Sequence, residues 1–334
     1  MMRTNKLISI LLSAVLILPL AGCGKKVENK FDVYGYSSKY GLMFTTADDV
    51  PGNASLDPFS WNICVTDGSD LHLENTDAQV ATSAIAIDDT TDELLYSKSC
   101  FQRVYPASTT KIMTCLLALE KGDLDSIVTV SANACDQASD SSTINLKPGD
   151  QISLRNLIYG LMLNSGNDAA VAIAEAVGGD VDTFVGMMND KARTLGATGT
   201  HFMNPNGLQD ENHYTTAYDM YLMFREAIKN PDFINIISTV TYDSNYTDAS
   251  GNPHEEIYKN TVQYISGKRK NPNGVTVVGG KTGTTGDAGY CLVLYSTNSN
   301  NDGIISIVFG ADARTNLYLL QKEMLEGFAN GGSS

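Results

Sequence analysis

Pro106-Ala107-Ser108-Thr109-Thr110-Lys111-Ile112-Met113-Thr114 leads straight into Cys115-Leu116-Leu117-Ala118-Leu119. The spacing predicts a helix that opens at Ser108 and buries Ile112, Met113, Cys115, Leu116, Leu117 and Leu119. Residues three apart share a helix face, so the Lys111 amine reaches the Ser108 hydroxyl. Pro106-Ala107 fits a sharp turn into the helix, whose free N-terminal amides favour developing negative charge. A serine hydroxyl is a weak nucleophile and needs a base. Lysine serves as that base only where burial or a nearby cation lowers its pKa. The competing structural reading makes Ser108 a plain N-cap and Lys111 a solvated first-turn residue. Against it, Ser-x-x-Lys occurs nowhere else in the chain.

On either side of this helix the pattern is regular. Ala84-Ile85-Ala86-Ile87 and Leu94-Leu95-Tyr96 read as two strands joined by a turn from Asp88 to Glu93. Downstream, Leu154 to Asn164, Asp168 to Val177 and Val181 to Leu195 read as consecutive helices, and another spans about 216 to 229 before Pro231. Strands return at Val275–Val278, Tyr290–Tyr295 and Ile304–Phe309, and a last helix runs from about Leu317 to Phe328. Strands at both ends with helices between predict one α+β domain. Its sheet pairs N- and C-terminal strands, and the helices form a second lobe.

Two further motifs carry chemistry. Ser165-Gly166-Asn167 follows the apolar run Leu161-Met162-Leu163 and precedes Asp168-Ala169-Ala170, at a junction between helices. The same triplet recurs at Ser250-Gly251-Asn252, in a polar stretch from Asp248 to Glu256 that reads as a hairpin turn. The first copy is therefore the functional candidate. Lys281-Thr282-Gly283 follows a strand-like run. A phosphate loop would need a glycine at position 275, which is Val275, and a helix afterwards; Thr284-Thr285-Gly286-Asp287 and a strand follow instead. On a strand edge Lys281 supplies a fixed positive charge, and Gly283 lets a substrate backbone come close. The four histidines, His72, His201, His213 and His254, are scattered, and no metal-loop pattern appears among the acidic residues.

The first 22 residues read as a leader. Arg3 and Lys6 precede an apolar run from Leu7 to Leu20, and Leu20-Ala21-Gly22-Cys23 resembles a lipoprotein box with Cys23 as the lipidated thiol. Two acyl chains suffice for stable membrane anchoring. Residues 23–78 form an acidic extension too rich in aromatics for a plain tether: Phe31, Tyr34, Tyr36, Tyr40, Phe44, Phe59 and Trp61 lie in it. The 334-residue chain has a net charge of −15, which argues against nucleic-acid binding. Of its six cysteines none forms a C-x-x-C pair, and Cys64 with Cys100 is a candidate disulfide in an exported protein.

Taken together, Ser108-Thr-Thr-Lys111, Ser165-Gly-Asn-Asp-Ala-Ala170, Met188-Asn189 with Lys191-Ala192, Phe202-Met-Asn-Pro-Asn-Gly-Leu208 and Lys281-Thr-Gly-Thr-Thr-Gly-Asp-Ala-Gly289 resemble the serine-type D-alanyl-D-alanine carboxypeptidases, the low-molecular-weight penicillin-binding group. The resemblance covers about residues 80 to 330. It implies a β-lactamase/penicillin-binding transpeptidase-like fold in a catalytic domain at 79–330, ahead of a short tail at 331–334. It implies Ser108 as nucleophile, Lys111 as base and Ser165 as proton shuttle to the departing amine. Asn167 would bind the substrate backbone, and Lys281, Thr282 and Arg314 its terminal carboxylate. The backbone amides of Ser108 and Thr284 would form the oxyanion hole beside Gly283. The implied partners are the D-Ala-D-Ala stem peptide of peptidoglycan and β-lactam antibiotics, with no cofactor or metal, in an extracytoplasmic lipoprotein. A class A-like β-lactamase would need a Glu-x-x-Leu-Asn segment, and His201 to Leu208 contains no glutamate. A non-catalytic lipoprotein that binds wall peptide is the remaining alternative.

Overall fold

The protein is described from a computed structural model over residues 63–72 and 78–329. The leader, Cys23 and most of the proposed extension lie outside the described residues. Within them, the segment at 63–72 reaches the sheet: Leu71 exchanges both backbone hydrogen bonds with Ser97, at 2.8 and 2.9 Å.

The main sheet begins with the expected hairpin, β1 (Ser83–Asp88) and β2 (Glu93–Lys98). A 3-10 turn, Ala107–Thr110, then runs into α1 (Lys111–Lys121). Short β3 (Ile127–Thr129), α2 (Ala132–Cys135) and β4 (Gln151–Ser153) lead to the helices α3 (Leu154–Leu163), α4 (Asn167–Gly178), α5 (Val181–Thr194) and α6 (Ala217–Ile228). Then come α7 (Pro231–Ser238), the hairpin β5 (Thr241–Thr247) and β6 (Pro253–Lys259), the strands β7 (Val275–Thr285), β8 (Gly289–Asn298) and β9 (Gly303–Ala311), and α8 (Arg314–Phe328).

The main sheet has the antiparallel order β2-β1-β9-β8-β7, so N- and C-terminal strands do pair, through β1 and β9. Its strands alternate between two cores. Ile85, Ile87, Val293, Ile305 and Ile307 face one core, while Ala84, Ala86, Leu292, Leu294 and Val308 face the other. Side chains in a strand point to opposite faces in turn, so a sheet covered on both sides reads as continuous apolar runs. The first core is filled by α1 and the helical lobe. The second is closed by α8, through Leu317, Tyr318, Leu320, Met324 and Leu325.

Three features depart from the sequence reading. A second, four-stranded sheet, β3-β4-β5-β6, escaped it because β5 is Thr-Tyr-Asp-Ser-Asn-Tyr-Thr, buried only at Ser244 and Tyr246. A turn does join its last two strands, but only over Asp248–Asn252: Pro253 to Glu256, read as part of the turn, belong to β6. Pro231 does not merely end α6: it is the first residue of α7, where its missing N–H costs nothing, and the Asn230 side chain caps that helix. Finally, Cys64 and Cys100 are free thiols, buried as small hydrophobes in the first core.

Candidate active site

Ser108 lies in the 3-10 turn, three residues before α1 begins at Lys111, rather than in the α-helix itself. The turn is set by Pro106 and by Ala107, which has φ +48°. A non-glycine residue there is strained, and such strain persists only where the surroundings impose it. Two neighbours do so. Gly207 has φ +87°, and a Cβ on it would fall 1.9 Å from the Ala107 carbonyl oxygen. A Cβ on Gly283 would fall 3.1 Å from the Ser108 nitrogen, so β7 passes directly over the nucleophile's amide.

Lys111 is fully buried below the serine. Its Nζ is 2.7 Å from Asn167 Oδ1, 2.6 Å from the Asn206 carbonyl oxygen and 3.1 Å from Ser108 Oγ. The first two partners can only accept. A neutral amine would spend two N–H bonds on them and keep one lone pair for the Ser108 hydroxyl. Burial favours that neutral form, holding the lysine well below its ordinary pKa. The charge on Lys281 adds to the effect, and Asp168 opposes it. The Asn206 carbonyl was not singled out from sequence, because a backbone acceptor has no residue signature.

Ser165 joins α3 to α4 with φ +60°, the second strained serine turn of the site. It is nearly buried, and the Lys281 ammonium donates to its hydroxyl at 2.9 Å. Lys281 also donates to the Thr282 carbonyl at 3.0 Å. Burial alone pushes its pKa down to about 7. The loop facing Ser165 is fixed by Asp168, an almost wholly buried carboxylate. It accepts the backbone N–H groups of Ile144, Leu146 and Ala169 at 2.9–3.1 Å. Burial raises its pKa and these hydrogen bonds pull it back.

A cavity of about 270 Å³ opens over these groups, lined by Ser108, Ser165, Thr282, Gly283, Thr284 and Arg314 among others. Lys111, Asn167 and Lys281 lie buried beneath it. Thr282 holds Thr261 at 2.8 Å, hydroxyl to hydroxyl. Arg314, the first residue of α8, places its guanidinium 5.6 Å from the Tyr290 ring centroid. Because β7 is an edge strand, its outward N–H and C=O groups can pair with an extended peptide. Cys23 lies outside the described residues. The three motifs thus meet in one place, and Ser250 does not join them.

A serine hydroxyl 3.1 Å from a buried lysine amine, beside an open strand edge and a second serine held by a cation, has the layout of an acyl-transfer site of the Ser-Lys type. The chain belongs to the Peptidase S11 family, D-alanyl-D-alanine carboxypeptidase, which it matches over residues 72–313. It is 37% identical over 238 residues to the D-alanyl-D-alanine carboxypeptidase DacF of Bacillus subtilis, covering 70% of this chain and 58% of that protein. It is 33% identical to DacA of Haemophilus influenzae, covering 78% and 65%. The chain therefore spans about three fifths of the length of these curated relatives. The crystal structure of the Streptomyces K15 DD-transpeptidase superposes with a TM-score of 0.69 at 31% identity, over 75% of this chain and 97% of that one. Penicillin-binding protein 5 of Haemophilus influenzae superposes with a TM-score of 0.66 at 33% identity, over 75% and 71%.

Proposed function

We propose that the protein is a D-alanyl-D-alanine carboxypeptidase that trims peptidoglycan stem peptides through an acyl-enzyme on Ser108. The carrying observation is the Lys111 amine, buried, held by two obligate acceptors and 3.1 Å from the Ser108 hydroxyl. Ser108 attacks the penultimate D-Ala carbonyl as its proton passes to Lys111. The oxyanion develops between the backbone amides of Ser108 and Thr284, under Gly283. Ser165, polarised by Lys281, relays the proton taken up by Lys111 to the departing D-Ala amine, so that it ends with its own hydroxyl restored and Lys111 neutral again. Asn167 holds the peptide backbone, and Lys281, Thr282 and Arg314 take the terminal carboxylate. Water then releases the shortened peptide.

Penicillins acylate the same serine. On this reading residues 79–330 are the catalytic domain, residues 1–22 are removed as a leader, and lipidated Cys23 tethers the enzyme outside the cell through the 23–78 extension. No helix among the described residues is long and apolar enough to cross a membrane.

The test is direct. The full-length protein is incubated with a penicillin and searched by mass spectrometry for an adduct on Ser108, with Ser108→Ala as control. D-Ala release from an acyl-D-Ala-D-Ala peptide is measured alongside. No adduct and no release would sink the reading. An adduct without release points to a peptide-binding protein, and rapid penicillin turnover to a β-lactamase. Transfer to an added amine, the activity named for the K15 enzyme, is read from the same product mixture.

A further inference from the structure

His213 is buried at 1% exposure, is not among the residues lining the cavity, and the reaction just described makes no use of it. Both ring nitrogens are engaged. The Met203 backbone N–H donates to Nδ1 at 3.0 Å, so Nδ1 must carry a lone pair. The proton is therefore on Nε2, which donates to the Thr110 hydroxyl at 2.8 Å. Only the neutral imidazole in this tautomer satisfies both contacts. Burial, which pushes its pKa down to about 4, keeps the ring in that form. The Phe202 ring packs edge-on against it, with centroids 5.6 Å apart.

The two partners belong to the two pieces that make the base. Thr110 is the residue before Lys111 in the nucleophile's turn. Met203 opens the segment that ends at Gly207. That segment gives the Asn206 carbonyl to Lys111 at 2.6 Å and the Pro205 carbonyl to the Thr114 hydroxyl at 2.6 Å, and it closes on Ala107 at Gly207. The imidazole is thus a rigid spacer between the lysine's helix and the strip of backbone that takes one of its two N–H bonds. We propose that His213 is a positioning residue for the Lys111 base: it sets the Asn206 carbonyl that turns the amine's lone pair toward Ser108. This rests on Lys111 being the base, as proposed above.

The experiment measures the rate constant for acylation of the full-length protein by a fluorescent penicillin. It uses wild type, His213→Ala, His213→Gln and Thr110→Val, well below each variant's unfolding temperature. His213→Ala should lose about 10²-fold in acylation, the scale of a 1 Å misplacement. A glutamine can still accept from Met203 and donate to Thr110, so His213→Gln should stay within about threefold of wild type. Thr110→Val removes a single contact without changing volume, and should fall between the two. It keeps the test decisive if His213→Ala does not fold. Folded His213→Ala or Thr110→Val that acylates at the wild-type rate overturns the inference and leaves the carboxypeptidase reading standing. Wild type that is not acylated overturns both.

Discussion

Gly207→Ala tests the site through backbone geometry alone. The added Cβ would lie 1.9 Å from the Ala107 carbonyl oxygen, 2.4 Å from its carbon and 3.0 Å from the Ser108 nitrogen. All three are backbone atoms, so no side-chain rotation relieves the clash. Restoring a tolerable contact of 3.0 Å means separating the two segments by 3.0 − 1.9 = 1.1 Å. If the 206–207 side moves, the Asn206 oxygen retreats from Lys111, where it now stands 2.6 Å away, beyond hydrogen-bonding range. If the serine turn moves, Ser108 leaves its base. Either way the acylation rate should fall by about 10²-fold. The positive φ adds strain of about 1–2 kcal/mol.

The control is Gly251→Ala. Its φ is +85°, nearly the same, but no atom lies within 4 Å of the added Cβ. It should lose about 1–2 kcal/mol of stability and no acylation rate. Acylation is followed with a fluorescent penicillin, and stability by thermal unfolding. If Gly207→Ala acylates as fast as Gly251→Ala, the close approach at Ala107 is irrelevant to chemistry and the reasoning fails.

Ser165→Ala removes the hydroxyl held by Lys281 and should lower kcat for D-Ala release by about 10²–10⁴-fold; an unchanged kcat excludes it as proton shuttle. Free Lys281 loses its charge as pH rises through about 7, so kcat/KM for a D-Ala-D-Ala peptide should fall on the alkaline side. An analogue with an amidated C-terminus has no carboxylate to lose, and should show a shallower limb that reports only Lys281's contact with Ser165; identical profiles would contradict the assignment. Asp168 favours the charged form of Lys111. Asp168→Asn should therefore move the acid limb of acylation to lower pH, and a shift upward reverses the argument. Asp168→Ala strips partners from three buried N–H groups, and calorimetry should show a loss of about 3–5 kcal/mol.

What was legible in the sequence depended on whether the signal was local. Ser108 and Lys111 announce each other because a helix repeats every three to four residues. Ser165 and Lys281 could be told from their look-alikes by the segments around them. The doubly covered strands were visible but read short: Lys281-Thr282-Gly283 lies inside an eleven-residue strand whose glycines and threonines break the apolar run. The site's other half depends on contacts distant in sequence. His213 meets Thr110 across 103 positions, and as one of four scattered histidines it carried no pattern. The Asn206 carbonyl is a backbone atom that any residue would bring. Strands β5 and β6 stayed hidden because a largely solvated hairpin spells out a polar sequence.

Strand β7 ends the main sheet, and an unpaired strand edge invites a second copy of the protein to zip onto it. Most proteins blunt such an edge with proline or an inward charge. On the proposed function the stretch over Ser108 has to stay bare, because a substrate would pair there. The defences are accordingly placed around it. A bulge between Val277 and Gly279 breaks the register before the working stretch begins. The backbone of α7 at Ile237 closes on that same end. Lys268 and Arg314 set two cations on the rim, and a net charge of −15 keeps whole molecules apart. The stretch left open is short, and it gives self-association little to grip while leaving room for the peptide that the proposed function requires.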